Sequence, residues 1–368
     1  MPMPSVWQRL FLPAVTFMCI VIGGGYATGR ELVEFFMPAG PVGGLLGMLV
    51  TAAIWSVIFS LSLELARATQ SFEYRSFFRQ LLGRGWIAFE LVYLAILLLV
   101  LAVLGAAAGE MLRTSFGAPL WLGPLLLICA VAAVAALGSG VIEALFSFWG
   151  VLVYVSYSIF LIVSLASFSG AISTTLHSDH AIQAGWLRGG ITYAGYNLAV
   201  LPAILFCARH QTRRREALLA GALAGPVAIL PGILFYIAML ALYPQIRHST
   251  IPVQTLLAAL RHPALSAFTQ VILFGTLIKT GIGVVHGFNE RLLSAHPAAS
   301  ARQSRAARLL VAVLLSVTAM VLATRIGLVA LISKGYGYIG WVVLAIYALP
   351  LLTIGVKRIM AAPSAPGG

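Results

Sequence analysis

The sequence predicts an all-α integral membrane protein with about ten membrane-spanning helices and no soluble domain. Three observations predict it: an apolar fraction too large for water to solvate, a succession of long apolar runs, and arginines gathered in the gaps between them. Of the 368 residues 61% are hydrophobic and 9% are charged, where a soluble domain carries about 25% charged residues. A chain this apolar cannot cover itself with polar side chains and takes lipid as part of its solvent. A net charge of +13 would suggest nucleic acid in a soluble protein. Here the arginines stand between apolar runs without aromatic–basic interleaving, so they read as topology signals and headgroup contacts, and no nucleic-acid partner is expected. Cys19, Cys129 and Cys207 lie in separate runs without metal-ligand spacing, which argues against disulfides and zinc. The first run lacks a small-x-small cleavage site and reads as a span rather than a signal peptide.

A membrane-spanning helix takes about 20 apolar residues. Runs of that order fall at 8–37, 41–66, 85–112, 119–137, 141–168, 186–208, 216–243, 264–290, 306–323 and 328–355. Several exceed the minimum, which leaves room for tilt or for a break within the span. One side of the membrane collects Arg9, then Arg67, Arg75, Arg79 and Arg84, then Arg209, Arg213, Arg214 and Arg215. The same side takes Arg291, Arg302, Arg305, Arg308, Lys357 and Arg358. The other side has Arg113, Arg247, Arg261 and Arg325, and the Arg-free segment 169–185. This bias makes the first side the cytoplasmic face of a bacterial-type plasma (inner) membrane, with both termini inside and an even number of spans. Residues 71–82 put Phe77, Phe78 and Leu81 on one face and Arg75 and Arg79 on another, as a short helix lying in the cytoplasmic interface does. Residues 252–261 read as a connecting helix on the outer side rather than a moving lid.

Two spans carry weak points. The first contains Gly23-Gly24-Gly25-Tyr26-Ala27-Thr28-Gly29, followed by Arg30, Glu31 and Glu34. Each glycine costs a helix about 1 kcal/mol relative to alanine, and non-helical backbone at membrane depth survives only where protein or a water-filled cavity satisfies it. The sixth contains Thr192-Tyr193-Ala194-Gly195-Tyr196-Asn197, with Pro202 beyond. Tyr26-Ala27 and Tyr193-Ala194 lie nearly half a chain apart, and each opens a block of five spans. Gly43-x-x-x-Gly47 in span 2 is echoed by Gly221-x-x-x-Gly225 in span 7. Interrupted helices at matched places in two halves of opposite topology point to a secondary transporter with its site at the midplane. The halves are 1–168 and 169–368, two inverted repeats in a single transmembrane domain.

Gly-Gly-Gly-Tyr-Ala-Thr-Gly-Arg-Glu-Leu-Val-Glu-Phe-Phe (23–36) resembles the first-span signature of the YkvI-type membrane proteins, Gly-x-Gly-Phe-Ala-Ser-Gly-Gln-Glu ending in Phe-Phe. Tyr196-Asn197-Leu198 and Asn289-Glu290-Arg291 also resemble that family, and the likeness covers essentially the whole chain. Arg30 departs from the pattern, which has Gln. The resemblance implies the amino acid–polyamine–organocation superfamily and the five-plus-five inverted-repeat fold of LeuT, with spans 1 and 6 broken.

A broken helix offers unpaired amides at the start of its second half, near Thr28 to Arg30 in span 1 and Gly195 to Asn197 in span 6. The carboxylate of an amino acid is expected on the backbone of Gly24 to Gly29, and its ammonium on carbonyls of the interrupted segments. Tyr26, Tyr193 and Tyr196 supply walls or hydroxyls. The substrate candidates are thus Gly24, Gly25, Tyr26, Thr28, Gly29, Tyr193, Gly195, Tyr196 and Asn197. Glu31 either complements the dipole of the second half-helix or is a proton or cation site. In the LeuT-like architecture, span 8 passes the inner end of the first break, where sodium-coupled members hold a cation. Lys279, with Thr280 beside it, is expected there, its ammonium at the carbonyls of Ile22 and Gly23; the alternative is a permanent pairing with a buried glutamate. The ion-coupling candidates are therefore Lys279, Glu31 and Thr280.

Glu90 stands out among ionisable residues within spans, with Glu64, Glu110 and Glu143 nearer span ends. Such charges face the bundle interior, because at the centre of a lipid-embedded helix each costs about 2.5–3.5 kcal/mol. Lys334-Gly335-Tyr336-Gly337-Tyr338 softens span 10. His177-Ser178-Asp179-His180 lies in an outer loop without further ligands nearby, and no metal or cofactor is expected. No zincin, nucleophile-elbow or phosphate-loop pattern is present, so no enzymatic activity is expected. The reading is a secondary active transporter of a small organic solute, an amino acid or related amine, working by alternating access, proton-coupled and sodium-independent. The rivals are a solute sensor on the same fold and a metal-ion transporter, although metal transporters of this fold carry a first-span Asp-Pro-Gly-Asn type of break that this chain lacks. Its partners are then the solute, the coupling proton and the lipid bilayer.

Overall fold

Each apolar run becomes a helix. The computed structural model describes residues 5–136, 139–178, 181–295 and 305–361, and among these every regular element is helical. The helices are α1 (Trp7–Val21), α2 (Gly24–Ala27), α3 (Arg30–Phe36), α4 (Pro41–Ala68), α5 (Tyr74–Leu82), α6 (Trp86–Phe116), α7 (Leu122–Ala136) and α8 (Ser139–Ser167). They continue as α9 (Ser169–Leu176), α10 (Trp186–Leu198), α11 (Arg214–Met239), α12 (Pro252–Leu260), α13 (Pro263–Ala295), α14 (Arg305–Ile326) and α15 (Leu328–Ala361). Among the described residues six segments are long and apolar enough to cross a membrane: Pro41–Ala68, Tyr74–Phe116, Trp149–Ser167, Arg214–Leu242, Pro263–Val285 and Leu328–Ala361. Trp7–Val21, Leu122–Val131 and Val313–Ile326 are apolar but shorter. Leu49, Leu91, Val151, Ile162, Val271 and Leu314 are exposed around the bundle, the surface that a lipid-solvated protein presents.

Four helices pack at the centre, and small residues let them approach. α4 crosses α11 where Gly221 meets the backbone of Phe59 and Ser60 and Gly225 meets the Ala52 carbonyl. Ser56 and Ser60 clip the crossing by donating to the carbonyls of Ala222 and Leu218, both at 2.8 Å. Small faces and hydroxyl clips of this kind drive helix association where no hydrophobic force operates between helices. α10 lies against α4 through Gly190 on Gly47, with Thr51 donating to the Gly190 carbonyl (2.9 Å) and Trp55 Nε1 to the Ala194 carbonyl (3.2 Å). α1 packs on α11, while α6, α7, α8, α13 and α14 pack around this core. The two glycine echoes therefore meet different partners: Gly43 and Gly47 face residues 182–190, whereas Gly221 and Gly225 face α4.

The arginine-rich end is tied by ion pairs. Arg9 Nη1 lies 2.7 Å from Glu216 Oε1, and Glu216 Oε2 accepts the Thr212 amide at the start of α11. Glu64, read as near enough to a span end to meet water, is only 2% exposed; Arg67 forks it at 2.8 Å and Arg214 stands 3.9 Å away. At the opposite end of α6, Glu110 pairs with Arg113. Glu90 is half-buried about one helical turn into α6 rather than deep within it. The side chain of Glu143, the side chains of 289–291, and residues 179 and 180 lie outside what is described.

α5 forms as expected, but its apolar face does not look toward lipid. Phe77, Phe78 and Leu81 are buried against Phe89 and Tyr347, with Phe78 stacked on Phe89 and edge-on to Tyr347. Arg79 instead covers the Trp86 ring, 4.8 Å from its centroid.

Candidate functional site

The first span comes apart where its glycines gather. The last amide of α1 to find a helical partner is that of Ile22, donating to Met18 (2.9 Å), and Gly23 is extended. A single turn, α2, follows, and Gly29 at φ +80°, a conformation that glycine alone adopts cheaply, redirects the chain into α3. A side chain at position 29 would also crowd Phe235 and Met239 of α11, 3.0 and 3.2 Å from where its Cβ would lie. Buried backbone must be satisfied, and here the carbonyls are. Gly23 accepts the Ala27 amide, Gly25 the Thr28 hydroxyl (2.7 Å), Tyr26 the Gly29 amide and Gly29 the Val33 amide. Ala27 accepts the Tyr157 hydroxyl from α8, and Thr28 accepts the Val253 amide from α12 (3.1 Å).

Glu31, in the first turn of α3, is 4% exposed. Its side chain folds back across the break, with Oε1 so close to Gly25 that a Cβ there would collide with it. Oε2 accepts the Tyr196 hydroxyl from α10. Among the described residues no cation stands within ion-pair distance of Glu31. Its neighbour Arg30 turns away to Glu34 (2.5 Å) and to the carbonyls of Arg247 (3.1 Å) and Ser249 (2.8 Å).

Aromatic rings wall the carboxylate. Tyr196 lies face to face with Tyr336 of α15, centroids 4.5 Å apart at 8°, and stacks on Phe35 at 5.9 Å. Tyr193 meets Tyr196 edge-on and contacts Phe35, Phe36 and Trp55. Among the described residues the buried hydroxyl of Tyr26 has no hydrogen-bond partner, while that of Tyr193 lies beside Tyr196 and Asn197. Tyr26, Tyr193, Tyr196 and Tyr336 all lie within electrostatic reach of Glu31. Phe35 also faces a cavity of about 410 Å³ on the arginine-poor side, lined by Glu34, Arg188, Thr192, Lys334 and Trp341. The cavity thus ends on the aromatic cluster.

The expected residues separate into three groups. Gly25, Tyr26, Thr28, Gly29, Glu31, Tyr193 and Tyr196 come together at the break, with Gly24 in the same turn. Gly195 and Asn197 do not act as expected, because 192–197 is continuous helix within α10 and its amides are spent on helical bonds. Gly195 is a packing point, where a side chain would strike the Gly340 carbonyl of α15, and Asn197 Nδ2 donates to its own helix at Tyr193 (3.0 Å). Span 6 breaks later, over 199–204, where the bonds tighten to i→i−3 around Pro202 and short turns carry the chain to His210. Proline supplies no amide and disfavours helix in the residue before it.

The third group lies on α13. Thr280 packs against Gly23 at the lower edge of the break, with its hydroxyl on the Thr276 carbonyl (2.9 Å). Lys279 is half-buried; its Nζ runs toward Gly150 of α8 and lies within electrostatic reach of Cys19 in α1. Thr280, not Lys279, occupies the position beside Gly23. Tyr336, Tyr157 and Phe35 belong to the cluster without having been singled out for it. Tyr336 carries a signal, a tyrosine between two glycines in an apolar span, and the helix widens to i→i+5 bonding over Leu331–Tyr336, a distortion frequent at functional sites.

The chain is 25% identical over 340 residues, 90% of its length and 92% of the relative's, to an uncharacterized membrane protein, YkvI of Bacillus subtilis. No family model matches it. Among solved structures it resembles a Na+-coupled sialic acid symporter in a substrate-bound, outward-open state, with a TM-score of 0.64 at 12% identity, covering 95% of this chain and 79% of the symporter. It also resembles a manganese transporter of Eremococcus coleocola, with a TM-score of 0.52 at 15% identity, covering 97% and 92%. At these identities the likeness is one of fold, and the chain shares the fold of these two transporters.

Proposed function

We propose that this protein is a secondary transporter of a small organic solute, an amino acid or related amine, that works by alternating access. The observation that carries this reading is Glu31, a buried carboxylate folded over an interrupted helix on a transporter fold, with a tyrosine hydroxyl for a partner and, among the described residues, no cation at ion-pair distance. A charge held at membrane depth costs several kcal/mol unless it is matched, so the site asks for a positive partner that arrives and leaves. Solute and proton supply it in turn, and binding that differs between the outward- and inward-facing states shifts their populations. On this reading the chain has ten spans, counting Trp7–Phe36 and Trp186–His210 as broken spans 1 and 6. Residues 1–168 and 169–368 form two inverted repeats, and both termini are cytoplasmic. Lys279, in the half-buried space between α13, α8 and α1, takes part in coupling in place of sodium.

Uptake into proteoliposomes tests the reading, with sodium replaced by potassium, with and without an inward proton gradient, for the wild type and Lys279→Gln. Solute accumulation driven by the proton gradient without sodium, and lost in Lys279→Gln, supports it. A sodium requirement in the wild type, or unchanged proton-driven accumulation in Lys279→Gln, removes the coupling assignment; binding without accumulation removes transport itself.

A further inference from the structure

We infer that the solute is a cationic amine without an α-carboxylate, recognised by Glu31 within a cage of tyrosines; this rests on the reading of the Glu31 cluster as the solute site. In an interrupted helix the natural place for a substrate carboxylate is the glycine-lined turn, and here the protein's own carboxylate lies on it, Oε1 packed against Gly25. A second carboxylate in that turn would meet Glu31 directly, and two like charges desolvated side by side repel strongly.

The partners that remain all suit a cation. The carbonyls of Gly23, Gly25, Tyr26, Ala27, Thr28 and Gly29 each already accept one hydrogen bond, so each has one lone pair left, and the charge that a cation meets comes from a side chain. Glu31 offers a negative charge with no cation near it among the described residues. Among the described residues the buried hydroxyl of Tyr26 has no hydrogen-bond partner and can accept an N–H. Tyr196 is stacked on Tyr336 and on Phe35, which fixes the hydroxyl that Glu31 accepts and leaves ring edges and hydroxyls around the carboxylate. Arg188 and Lys334 line the outer cavity as exposed charges, which water and salt screen; Glu31 is desolvated, and its charge is the one a bound solute has to match.

The test compares amino acids with the amines that differ from them by loss of the carboxylate. The purified protein in detergent is titrated with isoamylamine against leucine, phenethylamine against phenylalanine, and cadaverine against lysine, by thermal shift, for the wild type, Glu31→Gln and Glu31→Asp. The better pair is then followed as uptake into proteoliposomes. At least one amine is expected to bind about tenfold or more tightly than its parent amino acid, because the acid carries an unmatched buried charge. Glu31→Gln is expected to weaken that amine by about 30-fold or more, and Glu31→Asp to keep the preference at lower affinity. Amino acids binding as well as their amines, binding of no amine at all, or amine binding unchanged in Glu31→Gln would each overturn the inference. Should Glu31→Gln fail to fold, the wild-type ranking alone decides. An amino acid that accumulates while no amine binds would leave transport standing and remove the cation class; an amine that binds but never accumulates would do the reverse.

Discussion

The first and sixth spans carry similar-looking weak points and fold differently. Four glycines within 23–29 cost a continuous helix about 1 kcal/mol each, and the chain leaves the helix there, with Gly29 at φ +80°. α10 carries Gly189, Gly190 and Gly195, and their close packing on the Phe35 carbonyl, on Gly47 and on the Gly340 carbonyl offsets their cost, so α10 continues to Leu198. The sixth span instead yields at Pro202, where an amide is missing. In membrane helices, then, glycine number alone does not decide a break: the glycines of 23–29 open backbone, whereas those of α10 close helix–helix contacts. The first region becomes the place where a charge is held, and the second supplies the walls around it.

That contrast breaks most sharply with alanine. Replacing Gly25 and Gly29 together should displace the Glu31 carboxylate and strain position 29, lowering transport by about 100-fold or more, with a smaller loss of thermal stability. Uptake per folded molecule measures it, and normal uptake would make the first break mere packing. Gly195→Ala should do the opposite. It forces α10 and α15 apart and destabilises the fold by about 1–3 kcal/mol, read as a lowered melting temperature, with a loss of uptake per folded molecule much smaller than that of the Gly25/Gly29 pair. A large loss of uptake at unchanged stability would return Gly195 to the site.

Smaller effects sharpen the boundary of the cluster. Tyr336→Leu removes the ring stacked on Tyr196, worth about 0.5–1.5 kcal/mol beyond its buried area, and should raise the apparent Kd for solute several-fold. Tyr157→Phe deletes one hydrogen bond to the Ala27 carbonyl, worth about 1 kcal/mol, and should shift solute affinity least. Titrations of the two variants in parallel give the order; a Tyr157→Phe effect larger than that of Tyr336→Leu would place α8, not α15, at the solute.

Most helices were legible because apolar run length is a local property: the spans at 41–66, 85–112 and 216–243 reappear as α4, α6 and α11 nearly end for end. The first break was legible because its cause is written in consecutive residues. What the sequence did not reveal depends on distant contacts. Tyr196 and Tyr336 stack across a separation that no local pattern encodes. The face of α5 expected in the interface is buried because Phe89 and Tyr347 lie over it. Glu31 could be read as a dipole complement or as a cation site from sequence alone; the fold brings Tyr196 to one oxygen and Gly25 to the other. Lys279 and Thr280 both lie on α13, which passes the break, but helix phase puts Thr280 against Gly23 and turns Lys279 toward α8.

The account rests on Glu31 as the group that solute and proton share. Accumulation of labelled solute by reconstituted protein under an inward proton gradient, compared between wild type and Glu31→Gln at equal amounts of folded protein, tests that directly. The account expects accumulation in the wild type and a loss of about 30-fold or more in the variant. Equal accumulation by both would contradict it.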